Sequence, residues 1–445
     1  MYISSLNKKE TNKMKKRILM GMTSIIVGLS LIGCTAENVA SVNSNLDKEA
    51  ATQTVAANQS ATSTGSSTEE STEDSNASAL SNNSVSTVTS VEGSLMEVET
   101  LFSERDLEQS VDLTSVVELS LTSGKDLTIT EEGIYLLSGT YENVTVVIDA
   151  AEDAKVQLVL DGLSVTNEDS PFIYVKSADK VFVTTTSSEN NLEVTGSFLA
   201  DGDTNLDAVI FSKSDLVLNG EGKLIISAAM GNAVSSKDDL KITGGSYVVT
   251  AESDGFEANE GLYIYDGSFD VNVQKDAFHS ENDEDLTVGD LYIRGGSFQI
   301  SAGDDAFQGT TTLQIDGGTF NIEKSAEGIE ATFIQINGGE ITLYASDDGI
   351  NASQKSSIAI GIEVNGGTIN VTMGGGDTDA FDANGTITVN DGTINITATS
   401  AFDADGTAAL NGGTVTVNGE VITEITESQM GPGGNKPNGL GGKRP

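Results

Sequence analysis

Residues 291–308 read LYIRGGSFQISAGDDAFQ. The same phrase returns along most of the chain: a short alternating strand closed by Gly-Gly or Asp-Gly, a second alternating strand, then an acid, a small residue and a large apolar one. Aligned on the second glycine, the copies fall at Gly245, Gly267, Gly296, Gly318, Gly339, Gly367, Gly392 and Gly413, in steps of 22, 29, 22, 21, 28, 25 and 21 residues. A repeat of this length built only of strands and turns cannot bury its own apolar face, so it must stack on its neighbours as a solenoid. Period-two alternation excludes the helical leucine-rich kind. The expected fold is all-β, a right-handed single-stranded parallel β-helix whose two longest steps carry inserted loops, at residues 281–290 and 354–361.

Alternation assigns side chains to faces. Before each glycine pair, Leu262 and Ile264, Leu291 and Ile293, and Leu313 and Ile315 are expected to point inward. After it, Tyr247, Phe269, Phe298, Phe320 and Ile341 form a second inward column, and Phe256, Phe278, Phe307, Ile329, Ile350, Phe381 and Phe402 a third. A phenylalanine stripe at coil spacing is core packing, not a ligand box. Residues 111–200 are less regular and read as wide early coils plus a cap, with a turn at Asp161-Gly162. The outward ladders are polar, Asn321, Asn370 and Asn395 among them. Tyr263, Tyr265, Tyr292 and Arg294 are the exception, all expected to face out on adjacent coils about 4.8 Å apart. They are either plain β-formers or a carbohydrate-stacking patch, with Arg294 placed for a carboxylate or hydroxyl.

The acid opening each third segment recurs as Asp207, Asp254, Asp276, Asp305, Glu327, Asp348 and Asp379, with Asn232 and Ser400 in the remaining places. Three residues on come Glu257, His279, Gln308, Glu330, Asn351, Asp382 and Asp403, and Asp304 and Asp347 add a second carboxylate beside two of the first set. At coil spacing and an effective dielectric of 20, neighbouring carboxylates repel by roughly 3 kcal/mol. Either these acids are there because Asp and Asn make tight turns, or divalent cations lie between coils. Calcium takes six to eight oxygens at about 2.3–2.6 Å, so two ligands across one ion are roughly one strand spacing apart. The extra acids favour calcium as the cofactor, with Asp254, Glu257, Asp276, Asp304, Asp305, Glu327, Glu330, Asp347, Asp348, Asp379, Asp382 and Asp403 as candidate ligands. His279 is the only histidine. It is read as a member of the column or a solvated surface residue.

Outside the repeats the chain divides by composition. Residues 1–34 have a basic start (Lys13, Lys15, Lys16, Arg17), an apolar run and the tetrapeptide Leu31-Ile32-Gly33-Cys34, the pattern of a lipoprotein signal peptide whose cysteine becomes a lipid-bearing amino terminus. Met14 could serve as the start as well as Met1. Residues 35–99 are a Ser/Thr-rich tether with too little apolar area to fold, residues 100–427 the solenoid body, and residues 428–445 a glycine-rich tail. As a coil of about sixty residues the tether would span roughly 40–45 Å. A protein lipid-anchored outside the cytoplasm, reaching through the wall of a Gram-positive bacterium, is expected. With 23 basic against 67 acidic residues the net charge is −44, which excludes nucleic acid as a partner and leaves the lipid anchor as the only membrane contact.

The blocks GIYLLSGTYENVTVVID (133–149), VQLVLDGLSVTN (156–167), PFIYVKSADKVFV (171–183), DAVIFSKSDLVLNGEGKL (207–224) and NAVSSKDDLKITGG (232–245) resemble the extracellular bacterial carbohydrate-binding-domain family with a pectate-lyase-like β-helix. The likeness covers about residues 110–445. It implies a calcium-holding parallel β-helix that binds pectic or cellulosic plant cell-wall polysaccharide without established catalysis. The metal role then falls on the Asp-Gly and Asp-Ala acids of the column, and Glu327 and Ser400 depart from that pattern.

The expected function is therefore a surface-anchored, calcium-binding, non-catalytic polysaccharide binder. A polysaccharide lyase is the alternative, since β-elimination pairs calcium with a cationic base. Lys275 and Lys324 are the lysines nearest the acids in sequence, and Lys275, beside Asp276, is the one to suspect. A surface adhesin or structural rod is the third reading. Whether copies of the chain associate along a sheet edge is left open.

Overall fold

In the computed structural model the described residues are 93–426, apart from 283 and 377, together with the backbone of the strand Gln53–Val55. The leader with Cys34, the rest of the tether up to residue 92 and the tail from residue 427 lie outside them. The described chain is a parallel β-helix of about 12 turns. Each regular coil contributes three strands, and each strand pairs in parallel with its counterparts one coil before and one coil after. Parallel pairing places like residue on like: Leu262 opposite Leu291 opposite Leu313 before the glycines, Phe269 opposite Phe298 opposite Phe320 after them, and Phe278 opposite Phe307 on the third strand.

All three inward columns are buried as the alternation requires. Tyr247, Phe269, Phe298 and Phe320 stack with ring centroids 5.3, 4.8 and 4.6 Å apart, and Phe256, Phe278 and Phe307 form a second stack at 5.0 Å. The stacks meet edge to face, for example Phe278 on Phe298 at 5.7 Å, the arrangement that ring quadrupoles favour. At the corner between the first and second strands the repeated glycine has positive φ, 121° at Gly296 and 112° at Gly318. A Cβ on Gly318 would lie 3.1 Å from the carbonyl oxygen of Gly296. The corner therefore needs glycine both for its backbone conformation and for the closeness of adjacent coils.

The two inserted loops appear where the long steps place them. Among the described residues no strand intervenes between Phe278–Ser280 and Asp290–Ile293, or between Ile350–Ala352 and Gly361–Val364. The irregular start differs from expectation in one respect: Asp161-Gly162 does not end a strand. Lys155–Asn167 is a single strand that bends at Gly162 (φ 69°), its first half pairing with Lys180–Thr185 and its second with Glu189–Val194. At the other end Glu420–Ile422 folds back antiparallel on Thr414–Val417, and Ile422 and Ile425 rest against the end of the core.

Residues 94–109 form an element that alternation did not foresee. The expected boundary put residues up to 99 in the tether, yet from residue 93 the described chain lies as a strap along the outward face of the pre-glycine sheet. It crosses coil after coil, from Gln335 and Gln314 near its start to Lys180 near its end. Phe102 and Asp106 are buried in this contact. Asp106 accepts a hydrogen bond from Lys180 Nζ at 3.0 Å and lies 3.9 Å from Lys241 Nζ. Burial alone would raise its pKa, but the Ser103 N–H and the two ammonium groups hold it below the usual carboxylate value. The strap corrects the reading of the tyrosines. Tyr263, Tyr265 and Tyr292 do point away from the core, but Phe102 and its neighbours cover them, leaving Tyr292 0% and Tyr263 8% exposed. As folded, the patch offers no free ring face.

Candidate functional site

The acid column is assembled as the repeat demands, on the corner leading into the third strand. Its first row makes a side-chain ladder that the spacing alone did not reveal. The Asp254 N–H donates to Asn232 Oδ1 (2.9 Å), Asp276 N–H to Asp254 Oδ1 (3.1 Å), Asp305 N–H to Asp276 Oδ1 (2.8 Å) and Asp379 N–H to Asp348 Oδ1 (2.9 Å). In return each acid's backbone carbonyl accepts from the residue after the previous acid: the Gly255 N–H donates to the Asp276 carbonyl and the Gly349 N–H to the Asp379 carbonyl. One oxygen of these carboxylates thus satisfies corner backbone that would otherwise be buried unpaired. The turn-making reading holds for that oxygen, and the other remains for chemistry.

The second row lies in strict register: Glu257, His279, Gln308, Glu330, Asn351, Asp382 and Asp403 are partners across successive coils. Asp304 and Asp347 are exposed beside the first row. Asp276, Asp304 and Asp305 can bring one oxygen each within 4.8 Å of one another, as can Asp305, Glu327 and Glu330.

What neutralises the column changes along its length. Near its start Lys237 bridges Glu257 (3.2 Å) and Asp207 (4.0 Å). Further on His279 Nδ1 lies 3.4 Å from an oxygen of both Asp254 and Asp276, while Nε2 is 3.1 Å from Glu281 in the first inserted loop. Burial would lower the imidazole pKa, but hydrogen bonds to Asp254 and Glu281 and the charge of Asp276 carry it up to about 10. His279 is therefore a column member and an internal cation. In the middle Lys355, from the second inserted loop, pairs with Glu330, which also accepts from Ser353 Oγ (2.7 Å) and Gln308 Nε2 (3.1 Å). Burial and then the charge of Glu327 raise the Asp305 pKa, and burial and then the charge of Glu330 raise that of Glu327 to about 8.

Beyond Glu330 the cations stop. Among the described residues no lysine, arginine or histidine forms an ion pair with Asp348, Asp382 or Asp403. Burial, followed by the neighbouring carboxylates, raises Asp382 to about 7; Asp348 rises to about 6, though it keeps the Asp379 N–H. The buried Asn351 Oδ1 and Ser400 Oγ in this stretch have no hydrogen-bond donor. An all-oxygen set with surplus negative charge and unsatisfied lone pairs suits a hard divalent cation such as calcium. Among the described column residues the all-oxygen groups whose ligand atoms converge are Asp276, Asp304 and Asp305, and Asp305, Glu327 and Glu330, and these would hold it.

The structure brings neither of the suspected lysines into the column. Lys237 and Lys355 are the ones that reach it, and both sit outside the repeated phrase, Lys355 in an insertion whose folding-back no spacing could show. Both arginines of the body are engaged elsewhere: Arg105 stacks on Phe182 at 4.6 Å and Arg294 on Tyr265 at 4.3 Å.

Fold and column together define a class, an extended parallel β-helix with a carboxylate-lined corner. A family model for carbohydrate-binding domain-containing proteins matches residues 123–380, more than half of the chain, and the protein belongs to that family. A curated relative in Acetivibrio thermocellus, itself described as a carbohydrate-binding domain-containing protein, is 34% identical over 132 residues, 29% of this chain and 46% of the relative. The match thus spans just under half of that relative's length. Among solved structures, a polysaccharide lyase-like protein from C. thermocellum, determined as a gadolinium derivative, aligns over 68% of this chain and 94% of its own. The sequence identity is 21% and the TM-score 0.30.

Proposed function

We propose that this protein is a cell-surface-anchored, calcium-binding, non-catalytic receptor for plant cell-wall polysaccharide, pectic or cellulosic. Membership of the carbohydrate-binding family supports the glycan, and the converging carboxylates of Asp276, Asp304 and Asp305 and of Asp305, Glu327 and Glu330 support the calcium. Polygalacturonate and a protein of net charge −44 repel one another, so a divalent cation between protein carboxylate and uronate is what would make them adhere. The inserted loops flank the same corner three coil steps apart, about 14 Å. One supplies Glu281 to His279 and the other Lys355 to Glu330, so they delimit the stretch of column open to a polymer chain. The leader ending at Cys34 supports lipid anchoring outside the cytoplasm.

The test is affinity electrophoresis of the full chain through gels containing polygalacturonate, first with calcium and then with a chelator, while ultraviolet absorbance reports unsaturated sugar. Retardation that needs calcium, with flat absorbance, is expected. Rising absorbance would make the protein a lyase, and free migration through every glycan gel would leave an adhesin or rod.

A further inference from the structure

The strap covers a face with the makings of a binding site. The sheet holds the strap's main chain through side chains. Gln314 accepts from the Leu95 and Met96 N–H groups (2.9 and 2.8 Å) and donates to the Met96 carbonyl (3.1 Å), Lys241 donates to the Leu101 carbonyl, and Asn219 Nδ2 donates to the Glu108 carbonyl (2.9 Å). Such contacts read an extended polymer with little regard to its substituents. Between the amides lie the rings of Tyr263 and Tyr292 on adjacent coils. Phe102 rests over them, 6.4 Å from Tyr292 and edge-on to Tyr265 at 5.5 Å. Arg294, stacked on Tyr265, keeps its Nε buried with no hydrogen-bond acceptor. Within residues 93–109 only Phe102 and Asp106 are buried, and the one turn of helix at Val98–Leu101 buries nothing. The strap's two buried side chains thus stand beside its hydrogen bonds to Gln335, Gln314, Lys241, Thr243 and Asn219.

We infer that the tyrosine strip is a second, latent polysaccharide site and that the strap is its cover. When the strap lifts, pyranose rings take the place of Phe102 on Tyr263 and Tyr292, and their hydroxyls take over the hydrogen bonds that Gln314, Asn219 and Arg294 now make or lack. The ligand is an uncharged polymer of extended pyranoses, because the protein's net negative charge opposes uronate. The strap also joins the tether to the solenoid. The inference rests on the proposed glycan-binding role, but not on the calcium column.

The test uses the full chain in gels containing hydroxyethylcellulose with a chelator throughout, so that the acid column contributes nothing. Acetylation of tyrosine hydroxyls, mapped to Tyr263 and Tyr292, reports whether the strap has lifted. In the wild type both should stay unmodified and migration unaffected. Phe102→Ala, and the stronger pair Phe102→Ala with Asp106→Asn, should render them reactive and tighten retention about tenfold, the ~1.4 kcal/mol of one stacked ring. Adding Tyr292→Ala should cancel the gain. Reactive tyrosines without retention would overturn the inference, as would tyrosines that remain unreactive in both variants. Calcium-dependent retention of the wild type on polygalacturonate, run alongside, separates failure of this site from failure of the proposed function.

Discussion

His279 shows how much one side chain can settle. Between Asp254 and Asp276 it stands where a cation is needed, and its imidazolium supplies one. Replacing it by alanine leaves two buried carboxylates facing each other, and breaking a buried charge set by removing one partner typically costs about 3–5 kcal/mol. His279→Ala should therefore lower the melting temperature, and added calcium should restore part of the loss at the vacated position, a recovery absent from a His279→Lys control. Gly318 is a second such point. Alanine there meets both a left-handed backbone (φ 112°) and the Gly296 carbonyl at 3.1 Å. The conformational cost alone is about 1–2 kcal/mol, which denaturant unfolding of Gly318→Ala would register.

Among the elements, the stacked strands rest on two kinds of ladder with different consequences. The aromatic stack through Phe269, Phe298 and Phe320 lies in the core, so Phe298→Ala opens a cavity between two rings and should cost about 3–5 kcal/mol. The amide ladder at the outer corner runs Asn411 to Asn390 to Asn365 to Asn337, each Nδ2 donating to the next Oδ1 at 2.8–2.9 Å, and ends on Asp316 Oδ1. Water can replace its bonds, so Asn365→Leu should cost only about 1 kcal/mol. Equal losses in the two variants, measured by the same denaturant titration, would contradict this ranking. The inserted loops and the strap follow a different logic from the ladders: each is held by a few long-range polar contacts and meets the solenoid through side chains, so each can vary or move without altering a coil.

For the whole molecule the charge distribution sets the response to pH. Asp276 and Asp348 are raised to about 6, Asp382 to about 7 and Glu327 to about 8, above ordinary carboxylate values near 4. Between those limits the folded protein binds more protons than the unfolded chain, so stability falls as pH rises from about 4 to 8. His279, raised to about 10, acts in the same direction from about 6.5 upward. In chelator, melting temperatures should decline from pH 5 to pH 8. If calcium binds the column it should reverse most of the decline at pH 8 and change little at pH 5, where protons already occupy the acids. A calcium effect independent of pH would place the ion elsewhere.

The sequence by itself determined the coil. A two-residue alternation decides which side chains are buried, and a repeat near 22 residues with glycine at one corner and an acid at another leaves parallel stacking as the way to bury them. Phe298 and Phe307 could be assigned to the core, and Asp276 and Asp305 to one column, from spacing alone, because a solenoid converts sequence period directly into spatial neighbours. Contacts that do not share the period were decided only by the tertiary structure. Lys355 reaches Glu330 by folding back from an insertion, and Phe102 reaches Tyr292 from nearly two hundred residues earlier in the chain. The two oxygens of each column acid were equivalent in the sequence. In the fold one oxygen of Asp254, Asp276, Asp305 and Asp348 is bound to the backbone of the next coil, because the corner N–H there needs an acceptor.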